Sequence, residues 1–270
     1  VKFASIMNEN DRAAGRGGTG AVAGSKNLKA IVIRGSQKNQ VKPSQPEAHK
    51  AARQTALKLI MENAVTAPGK GGLSIYGTNV LTNVLNSVSG LPAYNGRLSH
   101  FEEADEISGE TFKEKLVVTE PTCHACPVAC KKEVEVKEGK YKLKVESMEY
   151  ETVWALGAMS GHSNREAMAY MLNQCNDYGL DTIETGNVLA MAMEASEKGL
   201  LEEEINWGDS DKMIELVEKI AVREGIGDLL AEGAGKAAKK IGAPDLAMSV
   251  KDQSIPAYDP RAVQGIGVTY

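Results

Sequence analysis

Pro121-Thr122-Cys123-His124-Ala125-Cys126-Pro127-Val128-Ala129-Cys130 holds three of the chain's four cysteines, spaced C-x2-C-x3-C. Thiolates this close on one loop can turn inward onto a single soft metal centre, as iron-sulfur clusters and structural zinc sites require. Three thiolates are one short of a closed site. The missing ligand is Cys175, a residue other than cysteine, or a cysteine outside this sequence. A zinc knuckle pairs two C-x2-C units or adds histidines at set spacings. His49, His100, His124 and His162 supply no such pair, and His124 lies inside the first gap, badly placed to share a metal with both neighbours. The spacing favours an iron-sulfur centre, with electron transfer as its task, over zinc.

Around this loop lies a chain of 270 residues with net charge -5 and 25% charged residues, enough for a substantial core and two structural units. The surface is ordinary, with no global pull toward nucleic acid or membrane. No apolar run approaches a membrane span and no signal peptide is visible. Val1 and Tyr270 both fall in ordered-looking sequence without polar tapering, so the chain reads as an internal stretch of a longer protein. Clustered cysteines are not a secreted disulfide framework; they fit metal ligation in a reducing compartment, the cytoplasm.

Upstream, residues 1–7 alternate like a strand and feed a glycine-rich run, after which residues 28–34, with Ile31, Val32 and Ile33 at their centre, read as a second strand. Glycines 15, 17 and 20 match G-x-G-x-x-G formally, but the next strand arrives too soon for a dinucleotide-binding crossover helix. The run reads either as an anion seat of backbone N–H groups beside Arg12 and Arg16 or as a plain turn. Residues 37–45 read as a linker, and helices are expected over 47–62, 76–88 and 109–116.

Downstream, residues 133–145 read as a hairpin turning at Glu138-Gly139-Lys140, with Lys131, Lys132, Lys137, Lys140, Lys142 and Lys144 on a solvated face or a basic rim for an acidic partner. Helices follow over 151–159, 164–178, 182–198, 211–224 and 227–241, the third opened by a capping-box-like Asp181 and Glu184. Met168, Met171, Leu172 and Cys175 share one helical stripe, which makes Cys175 a buried inert thiol rather than a ligand. Residues 246–270 read as extended and loop-like. Glu146, Glu149 and Glu151 are either proton acceptors raised by burial or solvated acids at a helix start. The loop Asn176-Asp177-Tyr178-Gly179-Leu180-Asp181 offers groups that could hydrogen-bond a polar heterocycle.

Taken together, Arg12-Ala13-Ala14-Gly15-Arg16-Gly17-Gly18, Lys26-Asn27-Leu28-Lys29-Ala30, the three-cysteine loop and Glu149-Tyr150-Glu151-Thr152 resemble the tungsten-dependent aldehyde ferredoxin oxidoreductases. Leu91-Pro92 with Asn95, Gly179-Leu180-Asp181 and Ile255-Pro256-Ala257-Tyr258-Asp259-Pro260-Arg261 extend the likeness over nearly the whole chain. The resemblance implies an α+β, mostly helical fold: residues 1–40 end an N-terminal pterin-binding β domain, 41–245 form a mostly helical second domain with the cysteine loop, and 246–270 begin a third. It implies Cys123, Cys126 and Cys130 as ligands of a 4Fe-4S cluster, whose fourth cysteine lies beyond Tyr270, as does the family's active-site histidine. Arg12 and Ala13 then lie near the phosphates of a tungsten (or molybdenum) bis-pterin and their bridging magnesium. The family's D-x-x-G-L-[CD] pterin motif falls on Asn176, Gly179, Leu180 and Asp181, with Asn in place of the leading Asp, which removes a charge from that contact. Glu149 and Glu151 are the two candidates for the glutamate near tungsten.

The implied reaction is oxidation of a small aldehyde to its carboxylic acid, with electrons leaving through the cluster to ferredoxin. The hairpin lysines are a candidate ferredoxin surface, and homo-oligomerisation is compatible. Alternatives are a molybdenum or tungsten pterin enzyme of the same family with another substrate, and a non-catalytic zinc or iron-sulfur module.

Overall fold

The computed structural model describes residues 1–36 and 41–270. Strand β1 (Ile6–Asn8) pairs antiparallel with β2 (Arg12–Ala14), placing Met7 opposite Ala13. Helix α1 (Thr19–Ser25) follows, where the sequence reads as an open glycine loop. The glycines there serve close backbone contact: Gly20 N donates to Ala4 O at 2.9 Å, and a Cβ on Gly20 would stand 2.2 Å from Ser5 O. The strand expected over 28–34 does not form. Ile31, Val32 and Ile33 are 69%, 92% and 86% exposed, and no described residue offers the neighbouring ladder that a strand's N–H and C=O groups need. Of the expected linker, residues 37–40 lie outside the described residues, and 41–45 lead irregularly into the next helix.

Helix α2 (Pro46–Glu62) starts on Pro46 with Glu47 in its first turn, as a proline-led N-terminus should. Next come α3 (Gly72–Tyr76), a 3-10 turn over Gly77–Val80, and α4 (Leu81–Ser87), three pieces where one short helix is expected. Ser108 caps α5 (Gly109–Lys115) by accepting from Thr111 N. Strands β3 (Val117–Thr119), β4 (Glu133–Val136) and β5 (Leu143–Glu146) form one antiparallel sheet with β4 central. The β4–β5 hairpin keeps the expected two-residue period, with Val134 opposite Val145 and Val136 opposite Leu143. Strand β3, too short to show a period, is an addition to the sequence reading, and it sets one end of the cysteine loop.

The core is helical. Helix α6 (Tyr150–Leu156) packs against α8 (Thr182–Glu197), flanked by α7 (Arg165–Tyr178) and α9 (Ser210–Val222). Met168, Met171, Leu172 and Cys175 form the buried stripe of α7 that their spacing predicts. Gly186 sits at the crossing of α6 and α8, where a Cβ would lie 2.2 Å from Ala155 O. Glycine is required there by closeness. The helix expected over 227–241 is broken into α10 (Ile226–Leu230) and α11 (Ala234–Lys240) because Gly233 takes φ 88°. Residues 246–270 are more ordered than expected, with β6 (Ser249–Val250) paired to β7 (Gln253–Ser254) and a terminal α12 (Gln264–Thr269). The described residues are mostly helical with three small sheets, as expected of the α+β class.

Candidate active site

The cysteine loop spans the gap between β3 and β4. Its turns are tight: Cys126 N donates to Cys123 O at 3.1 Å, and Ala125 and Ala129 adopt φ 55° and 56°. Cys123 is exposed, Cys126 and Cys130 are half-buried, and all are free thiols. Burial, reinforced by Glu149 and the two neighbouring thiols, pushes the Cys130 thiol above its ordinary value. Among the described residues no three His, Cys, Asp or Glu side chains converge where one ion could sit. Ligands of a four-iron cluster each meet a different iron and stand further apart than ligands of one ion. An all-sulfur donor set on one loop fits such a cluster. Cys175, by contrast, is fully buried on α7, and burial pushes its thiol up to about 12, as suits an inert core residue.

Glu149 and Glu151 stand at the start of α6, and two residues apart in a first turn they face different neighbours. Glu149 is the N-cap residue, but its side chain turns away: it accepts from Arg12 Nη1 at 3.2 Å and from Thr78 Oγ1 at 2.6 Å. Thr78 Oγ1 in turn accepts from Tyr150 N at 2.9 Å, so threonine does the capping. Glu151 points to the other side, where Ala257 N donates to its Oε2 at 3.1 Å. Burial raises the Glu151 carboxyl to about 7, with Ala257 N–H and Arg16 opposing the rise and Asp181 adding to it.

Arg16 is drawn into this second cluster. Its Nε donates to Asp181 Oδ2 at 3.0 Å and its Nη2 to Ser254 O at 2.7 Å, with Glu184 Oε2 3.6 Å away. Asp181 caps α8 by accepting from Ile183 N, but Glu184 does not close the expected capping box. Glu184 accepts instead from Ala234 N at 2.9 Å and Ser254 N at 3.0 Å, tying α8 to α11 and β7. Arg16 is therefore committed to internal acids, which removes it from the anion seat. Arg12 stays beside that seat: its Nε is buried without a hydrogen-bond partner among the described residues, with Asp11 Oδ2 3.8 Å away.

The remaining positions of the expected set divide. Gly179 ends α7 in the left-handed conformation, and its carbonyl accepts from Ser5 N at 2.7 Å while Asp181 N donates to Phe3 O at 3.1 Å. This loop is zipped onto residues 3–5, with Ala4 bridged to Leu180. Asn176 instead lines a polar groove of about 710 Å³, with Met7, Asp11, Glu146, Asn173 and Asp177. Ala13 is exposed on β2. The structure thus joins Arg12 to Glu149 and Asp181 to Arg16 near Glu151, and leaves Asn176 on the groove.

The six lysines around the hairpin fall into two groups. Lys137, Lys140, Lys142 and Lys144 are exposed as expected, but Lys131 and Lys132 are not part of a solvated face. Lys131 Nζ sits 2.8 Å from Asp11 Oδ2 and 2.7 Å from Glu146 Oε2. Lys132 is buried at 4% exposure beneath the cysteine loop. They precede β4, where the alternation of the hairpin no longer sets which side faces water.

Residues 51–270 match the family described as aldehyde ferredoxin oxidoreductase, domains 2 & 3, and residues 1–35 match the aldehyde ferredoxin oxidoreductase N-terminal domain. The chain is 42% identical over 278 residues to the tungsten-containing aldehyde ferredoxin oxidoreductase of Pyrococcus furiosus and 41% identical over 277 residues to that of Thermococcus kodakarensis. Each alignment covers 100% of this chain but 44% of the relative, so the chain spans less than half their length. The aliphatic sulfonate oxidoreductase WOR-like subunit of P. furiosus is 32% identical over 250 residues, covering 89% of this chain and 38% of the relative. Among solved structures, the active site complex BamBC of benzoyl coenzyme A reductase superposes with a TM-score of 0.73 at 24% identity, over 95% of this chain and 40% of that one. That likeness concerns the fold.

Proposed function

This chain belongs to the aldehyde ferredoxin oxidoreductase family, and from that membership we propose that it is part of an oxidoreductase that converts aldehydes and water to carboxylic acids. The observation that carries the proposal is Glu151, a buried carboxyl raised to about 7 beside the Arg16–Asp181 pair. A proton acceptor works best with a pKa near the operating pH. Oxidation of an aldehyde to a carboxylate, with water as the oxygen source, releases three protons and two electrons, the electrons passing to the acceptor. Glu151 accepts one of those protons at its carboxylate, and the Ala257 N–H fixes the orientation of that group. Glu149, engaged by Arg12 and Thr78, positions the start of α6 instead.

Two groups would complete the site. By the family resemblance, Arg12, Ala13, Asn176 and the Gly179, Leu180 and Asp181 turn would hold a tungsten (or molybdenum) bis-pterin with its magnesium, with Asp181 keeping its pair with Arg16. The Arg12 guanidinium, on a side chain that is 37% exposed and already pairs with Glu149, would present positive charge to an anionic oxygen there. When bound, this centre supplies two-electron redox chemistry. Cys123, Cys126 and Cys130 would hold three corners of a 4Fe-4S cluster, which supplies one-electron transfer toward ferredoxin. We assign residues 1–40 to the end of the β domain, 41–245 to the second domain and 246–270 to the start of the third. We assign the protein to the cytoplasm, the reducing compartment that suits clustered metal-ligating thiols. Among the described residues no helix is long and apolar enough to cross a membrane.

The test is elemental analysis of the full-length protein isolated without oxygen, followed by an aldehyde panel with ferredoxin as acceptor. Tungsten or molybdenum with about four irons per chain and aldehyde-dependent ferredoxin reduction is the expected result. Zinc alone, or iron without either heavier metal in cells supplied with both, overturns the reading in favour of a non-catalytic module. A second substrate class has one observation behind it, the 32% identity to a relative named for aliphatic sulfonates. Turnover of sulfonates but not of aldehydes would establish it.

A further inference from the structure

Lys131 and Lys132 are adjacent, yet their ammonium groups are held in opposite ways. Lys131 is neutralised by two carboxylates, Asp11 and Glu146, at 2.8 and 2.7 Å. Lys132 Nζ lies under the cysteine loop and donates to three backbone carbonyls: Ser74 O at 2.8 Å, Ala129 O at 3.0 Å and Lys131 O at 3.3 Å. The nearest carboxylate oxygen, Glu120 Oε1, is 3.8 Å away and is itself paired with Lys113. The Lys132 charge is thus solvated by peptide dipoles and only partly balanced.

The packing fixes it there. Gly77, at φ 69°, lies against both the loop and the lysine stem: a Cβ on it would stand 2.8 Å from Cys130 O and 3.1 Å from Lys132 Cγ. Ala129 and Lys131 flank Cys130 in sequence, so two of the three carbonyls that hold Lys132 border this cysteine. A long, flexible side chain pays conformational entropy to be held this way, and an ammonium loses hydration. A methionine or leucine would fill an apolar gap at lower cost. Lysine stands there all the same, its ammonium held by the three carbonyls.

From this geometry we propose that Lys132 is a positioning and potential-setting residue for the electron-transfer centre held by Cys123, Cys126 and Cys130. The inference rests on the cluster reading of those cysteines. Reduction adds one negative charge to a cluster, and a fixed positive charge in a water-poor site stabilises the reduced form more than the oxidised one. Through the Ala129 and Lys131 carbonyls the same ammonium braces the backbone on both sides of Cys130. Lys132 therefore sets the centre to accept electrons more readily.

The test uses the full-length protein purified without oxygen, comparing wild type with Lys132→Met, Lys132→Arg and Glu120→Gln. Iron and acid-labile sulfide are counted per chain, and the midpoint potential is read by EPR-monitored titration. Lys132→Met should make the reduced form about tenfold less favoured at a fixed potential, a shift of about 59 mV to more negative values for one electron. Lys132→Arg should stay near wild type, and Glu120→Gln, which unbalances the lysine charge further, should move the midpoint the other way. If Lys132→Met loses its cluster, the sign of the Glu120→Gln shift decides alone. A Lys132→Met protein with full iron and an unchanged midpoint, or an unmoved Glu120→Gln, overturns the proposal while leaving the cluster reading intact. Wild-type protein without iron and sulfide overturns both.

Discussion

Ala257 N donates to Glu151 Oε2 at 3.1 Å, linking the first turn of α6 to a loop 106 residues further along the chain. The same residue is held by its carbonyl as well, where Tyr150 Oη donates to Ala257 O at 2.6 Å. Neighbouring side chains of one helix thus clamp a single residue, and the carboxyl has a fixed direction. Glu151→Gln keeps this hydrogen bond but cannot accept a proton. In the full-length enzyme it should lower kcat by about 10²-fold or more with metal content unchanged. Glu149→Gln should have a clearly smaller effect on kcat. Steady-state rates with metal analysis of each variant check both, and equal losses would remove the assignment.

Stability should carry a pH signature from the same residue. The Glu151 carboxyl sits at about 7 in the folded protein against 4.5 for an ordinary glutamate, so the folded state holds this proton more tightly. Its contribution is fully present below about pH 4.5 and is lost as pH rises through about 7. Urea unfolding at pH 5 and pH 8 should show part of the decline in wild type and less of it in Glu151→Gln. Identical pH slopes in the two proteins would contradict this.

Arg16 is the counter-ion of two buried acids, Asp181 and Glu184. Arg16→Met leaves Asp181 without its ion pair and unseats the contact to Ser254 O. Breaking a buried pair from one side costs about 3 kcal/mol, and denaturant midpoints measure it. A change within experimental scatter would mean the acids find other partners.

At the α6–α8 crossing, Gly186→Ala places a methyl against Ala155 O and C at 2.2 and 2.3 Å from backbone that cannot move alone. Overpacking of this kind costs about 1–3 kcal/mol, despite the higher helix propensity of alanine. Thermal unfolding should show the loss; a stabilised variant would show that the helices separate easily.

Serine at Cys123, Cys126 or Cys130 should lower bound iron in the full-length protein, whereas Cys175→Ala should leave it unchanged, since Cys175 is enclosed on α7. Iron content per chain after anaerobic purification distinguishes the two groups. Loss of iron in Cys175→Ala without loss of folding would return Cys175 to the ligand set.

What the sequence by itself determined is whatever short-range pattern encodes: the C-x2-C-x3-C loop, the α7 stripe ending in Cys175, the Asp181 cap of α8, and the two-residue period of the β4–β5 hairpin. These rest on spacing along the chain, where three to seven residues settle the outcome. Tertiary structure decided the rest. Residues 28–34 have strand composition, but a ladder needs a partner, and none of the described residues pairs with them. Lysines 131 and 132 look like surface charges until Asp11, Glu146 and the carbonyls of Ser74 and Ala129 are brought to them. Glu149 and Glu151 are indistinguishable as letters. Their fates separate because Arg12 and Thr78 fold onto one side of α6 and Ala257 and Arg16 onto the other, so that desolvation, a property of the packed surroundings, falls on Glu151.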